Sequence, residues 1–104
     1  MTTLSTAIAQ FISSTMNSKN EVNDFLNQYS SDVQQQFVSA LYHGRDHLHK
    51  SELRQDINIS RENVDHIQQN EYSRLIFEKG SNVTTYLQKF RDCAAVSNFN
   101  IDAL

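Results

Sequence analysis

Apolar residues recur along the chain at three- and four-residue steps, the period of a helix with one buried face. Leu4, Ala7, Ile8, Phe11, Ile12 and Met16 form the first stripe and predict a helix over 3–16, with Thr2 or Thr3 as N-cap. The polar run Asn17-Ser18-Lys19-Asn20 reads as a link. Asn20 can cap a short second helix whose first turn carries Glu21 and Asp24 and whose apolar face is Val22, Phe25, Leu26 and Tyr29. Ser30 and Ser31 break that pattern and offer a new cap. A third helix begins at Asp32, with Val33, Phe37, Val38, Ala40 and Leu41 inside, and Gly44 is placed to end it in the left-handed conformation.

The segment 45–59 lacks this period. His47-Leu48-His49 suits a loop or a short helix, Ser51 can cap one turn containing Leu53, and Asp56-Ile57-Asn58-Ile59 alternates over too few residues to define a strand. Ser60 then caps a predicted long helix with Glu62 in its first turn. Its stripe is Val64, Ile67, Glu71, Leu75 and Phe77 or Glu78, flanked by Tyr72 and Ile76, and Glu71 conflicts with that face. Gly80 ends this helix, and Ser81 or Asn82 caps the last one, with Val83, Tyr86, Leu87, Phe90 and Ala94 inward. Residues 97–104 read as a loosely ordered tail, from which Phe99, Ile101 and Leu104 could dock on the body or on a partner. The expectation is an all-α fold, a single domain over 1–104 built as an irregular bundle of about five helices.

Composition sharpens this picture. There is no proline and there are only two glycines among 104 residues, so few tight turns and no interior helix breakers are expected. Apolar residues make up 38%, while 10 Asn, 9 Gln and 12 Ser fill the polar share; a net charge of only −3 argues against disorder. The single cysteine, Cys93, excludes an internal disulfide. Met1-Thr2-Thr3-Leu4 has neither a basic region nor a following apolar run of signal-peptide type, and no stretch approaches the roughly 18–20 apolar residues of a membrane span. These points set the expectation of a cytoplasmic chain without a membrane partner. Eight of nine Lys and Arg lie from Arg45 onward, but so do nine of twelve acids, so no basic stripe marks a nucleic-acid surface.

The most distinctive segment is Ala40-Leu41-Tyr42-His43-Gly44-Arg45-Asp46. An Ala-Leu-x-x-Gly-Arg-Asp/Gly run at a helix end resembles the bacterial domain-of-unknown-function family 3775. Asn23 through Tyr29 is similar to that family's preceding amphipathic helix, and Tyr72-Ser73-Arg74-Leu75 with Tyr86-Leu87 is similar to its Tyr-Leu-rich helical pair, so the resemblance spans roughly residues 23–95. His43 replaces an apolar residue of the pattern, and no glycine follows Arg45. The family has no assigned activity. The resemblance implies a compact helical bacterial protein and marks Gly44, Arg45 and Asp46.

Three groups of residues carry candidate chemistry. His43, His47 and His49, with Asp46 and Glu52 nearby, supply the imidazole and carboxylate donors that suit zinc, nickel or iron, although a solvated loop explains the same cluster. Arg45 can hold an anion or a partner carboxylate bidentately, or tie helix ends together. The wide stripe of Leu4, Ile8, Phe11, Ile12 and Met16, outside the family-like region, can pair with a partner or cap the chain's own core. Cys93 has no base beside it, and neither a nucleophile elbow nor a glycine-rich phosphate or dinucleotide loop is present, so no catalytic residue and no cofactor are assigned. The leading expectation is a non-catalytic interaction or regulatory module that meets a protein partner or a second copy of itself. The second is a small metal- or anion-binding protein, with or without enzymatic use, built on the His, Arg and Asp residues of 43–49.

Overall fold

The computed structural model describes residues 3–104. Thr3 is the first cap: its side chain accepts from the Thr6 N–H and starts α1, Leu4–Ile12; Thr2, the other cap considered, lies outside the described residues. The helix is shorter than its apolar stripe. Ser13 and Ser14 turn their hydroxyls back onto the Gln10 carbonyl at 3.1 and 2.7 Å, the local competition that shortens helices. Met16 therefore lies beyond the helix end.

Ser18, not Asn20, caps α2, Lys19–Leu26, by accepting from the Glu21 N–H at 3.2 Å. The Glu21 carboxylate in turn accepts from the Asn17 N–H, a reciprocal arrangement close to a capping box. Ser30 caps α3, Ser31–Asp46, through the Val33 N–H. Phe11 of α1, Phe25 of α2 and Phe37 of α3 meet edge to face with centroids 5.4–5.5 Å apart, at the centre of the core these helices share. Buried Gln34 locks the same junction: its amide nitrogen donates to the carbonyls of Leu26 and Tyr29, and its oxygen accepts from Gln69.

Gly44 does not end α3. It lies inside the helix, which runs two residues further, because this is where α3 presses on α5. The predicted long helix from Ser60 is also absent. Ser60 instead caps a single 3-10 turn, Arg61–Val64, through the Glu62 N–H. A second 3-10 turn spans Gln69–Glu71, and only then does α4 begin, Tyr72–Lys79. The break removes the Glu71 conflict. Glu71 is exposed at the start of α4, and Tyr72, Ser73 and Ile76 form its buried face, with Leu75 half-buried and Phe77 outward.

Gly80, at φ +56°, ends α4, and α5 follows as Asn82–Val96. The left-handed helix stop occurs at Asn98, also at φ +56°: Asn98 N–H donates to the Ala95 carbonyl and Phe99 N–H to that of Ala94, the paired bonds of a Schellman motif. The chain then returns to α1. Phe99 packs edge-on against Phe90, Leu104 is buried, and the Asp102 carboxylate accepts from both N–H and O–H of Ser5 at 2.8 Å. Residues 97–104 thus hold to the body rather than trail from it. The described residues form five α-helices and three short 3-10 turns without a strand, and none of these helices is long and apolar enough to cross a membrane.

Candidate functional site

α3 extends past Gly44, so His43 and His47 stand one turn apart on one buried face of it. Their hydrogen bonds show which ring nitrogens donate and which accept. The Arg54 N–H donates to His47 Nε2 at 3.0 Å, so that nitrogen carries no hydrogen. Nδ1 then bears the proton and donates to the His43 carbonyl at 2.6 Å. His43 Nε2 lies 2.8 Å from the Ser60 carbonyl, to which only an N–H can donate. The two rings therefore hold the irregular segment between α3 and the Ser60 turn at Arg54 and at Ser60.

Both rings are spent on backbone. His47 is fully buried, His43 is nearly so and stacks on Phe90 at 5.8 Å, and His49 faces solvent. Among the described residues, no group of three His, Cys, Asp or Glu side chains is placed to hold a metal ion, so the structure does not gather His43, His47 and His49 into one site. Burial pushes the His43 pKa below that of a free imidazole, against the hydrogen bond to Ser60, with the neighbouring His47 lowering it further and Asp46 opposing. His43 Nδ1 is buried with no hydrogen-bond partner, a desolvation cost that the fold itself carries. Cys93 is buried too. Its thiol reaches the Lys50 carbonyl at 3.7 Å, and burial raises its pKa, the opposite of what a nucleophile needs.

Arg45 and Asp46 point outward at the end of α3. Asp46 faces Arg54 at 3.9 Å, and Arg54 grips Asp56 with two hydrogen bonds at 2.6 and 3.0 Å. Tyr42, Arg45 and Asp46 share one helix face and line a cleft of about 450 Å³ with Asn63, His66 and Ile67. Gly44 makes no such contribution; it is buried against Tyr86.

The stripe weighed as a partner surface has another place. Leu4 and Ile8 are fully buried in the chain's own core and Ile12 packs against it. Phe11 and Met16, however, reach a second hollow of about 490 Å³ between the end of α1 and the α4–α5 corner. Phe11, Val22 and Ile76 supply apolar lining, while Ser14, Ser81, Thr84 and Thr85 add hydroxyls. Phe77 also lines it and is 42% exposed, although its spacing had suggested an inward position. The sequence signal was the ambiguity of Phe77 against Glu78 on the α4 stripe; only one face of so short a helix can be buried. The hydroxyl residues carried no sequence signal.

No protein-family model matches the chain, and neither curated proteins nor solved structures provide a match.

Proposed function

We propose that this chain is a non-catalytic interaction module that pairs with a second copy of itself through the hollow beside Phe77. The observation that carries the reading is a large aromatic ring, 42% exposed, on a concave apolar surface whose lining contains none of the chain's 21 Lys, Arg, Asp and Glu residues. A two-fold interface needs a knob and a hole on the same patch, so that each copy fills the other. Phe77 provides the knob, and Phe11, Val22 and Ile76 line the hole. Charge favours the same patch. Four other hollows each carry a carboxylate, so a two-fold contact there would bring like charges together, which this face avoids.

The test is a pair of single variants followed by native mass spectrometry. Phe77→Ser removes the knob and yields monomer. Val96→Ser removes another exposed apolar side chain, 61% exposed and outside the hollow, and leaves the dimer intact. Equal dissociation of both variants, or of neither, overturns the assignment of this face.

A further inference from the structure

The cleft at the end of α3 is independent of that pairing face and has a different character. Tyr42, Arg45 and Asp46 recur at i, i+3 and i+4, so one helical face presents a phenol, a guanidinium and a carboxylate together. Across the cleft stand Asn63 and His66, with Ile67 as apolar wall. Among the described residues, Arg45 is the arginine without a side-chain hydrogen bond or ion pair. Arg54 binds Asp56, Arg61 binds Asp32, Arg74 binds Glu71 and Glu78, and Arg91 binds Gln88. An uncommitted planar fork of donors in a cleft is a carboxylate or phosphate receptor.

The neighbours support that role. Asn63 is held in place from behind: its oxygen accepts from the Ser39 hydroxyl at 2.7 Å and its nitrogen donates to the Ser39 carbonyl at 3.4 Å. This leaves one amide hydrogen of Asn63 uncommitted. Lys79 Nζ lies 4.9 Å from the centre of the Tyr42 ring and adds positive charge beside the cleft. Asp46 is the opposing group, and Arg54 at 3.9 Å offsets its charge. A cleft of about 450 Å³ is large enough to hold a small metabolite.

We infer that this cleft binds a small organic anion, whose carboxylate or phosphate group is taken by Arg45 with Asn63 as second donor and whose body lies against Tyr42 and Ile67. The test is a nitrogen-15 NMR titration of the whole chain with two probes, benzoate for the carboxylate and inorganic phosphate for the phosphate. Saturable shifts with either probe, confined to Tyr42, Arg45, Asn63, His66 and their immediate neighbours, support the site, and the probe that saturates identifies the anionic group. Arg45→Gln, at an exposed position, then weakens that binding at least tenfold, while Arg91→Gln, outside the cleft, leaves it unchanged. Absence of saturation with both probes overturns the proposal. So does an affinity unaltered by Arg45→Gln, or shifts spread over all the basic side chains. The Phe77→Ser variant retains the binding, which separates this outcome from that of the pairing face.

Discussion

Gly44 of α3 and Tyr86 of α5 meet backbone to backbone: a Cβ on Gly44 would stand 1.8 Å from the Tyr86 carbonyl oxygen and 2.5 Å from its carbon. No flexible side chain can yield there, so the two longest helices are spaced by the missing methyl group. In an open helix interior, Gly→Ala stabilises by about 1 kcal/mol. Here the sign reverses. Gly44→Ala is expected to destabilise by roughly 3 kcal/mol, at the upper end of overpacking costs, and urea unfolding checks it. An unchanged or raised midpoint would mean that the helices are further apart than described.

The contact also shows what the sequence could and could not reveal. A glycine after an amphipathic helix has the same local signature whether it ends the helix or admits a neighbour, and only Tyr86, 42 residues away in the numbering from Gly44, distinguishes the two. The stripes of α1, α2, α3 and α5 were legible because each has one apolar face wide enough to set the period. The segment after Ser60 breaks the predicted helix; Val64 and Ile67, three apart, fit a helix and a tight turn alike. The role of His43 and His47 was illegible, since their partners are backbone atoms of Ser60 and Arg54 that carry no side-chain signal.

His47 donates to one backbone group and accepts from another while fully buried. His47→Ala strands the Arg54 N–H and the His43 carbonyl and opens a cavity, for an expected loss of about 3 kcal/mol. Hydrogen exchange provides the sharper check. The Arg54 amide loses protection in the variant, whereas amides in the middle of α5 keep theirs relative to the reduced global stability.

His43 makes stability depend on pH. Its pKa in the fold lies below the free value of 6.5, so the unfolded chain takes up the proton first as pH falls. Its contribution is complete above pH 6.5 and is lost progressively as pH drops from there toward the folded pKa. Thermal melts are expected to fall on acidification through this window, before most carboxylates titrate. In His43→Gln, whose amide can still donate toward Ser60, that slope flattens. A slope of the same size in both proteins would assign the effect elsewhere.

Asp102 places a carboxylate against Ser5 in the first turn of α1 and joins the chain's C-terminal turn to its first helix. Asp102→Ala is expected to cost about 1 kcal/mol, the usual worth of a helix N-terminal acceptor. The fraying of α1 and of residues 97–104 should rise together, as measured by amide exchange. Fraying of α1 alone would show that the C-terminal turn is held by Leu104 and Phe99 without Asp102.

Sedimentation velocity of the untagged wild-type chain over a wide concentration range reads pairing through the Phe77 hollow directly. A reversible, concentration-dependent shift from the 12.0 kDa monomer toward a species of twice that mass is expected, not weakened by salt because the hollow's lining carries no charged residue. A 12.0 kDa species at every concentration would contradict it.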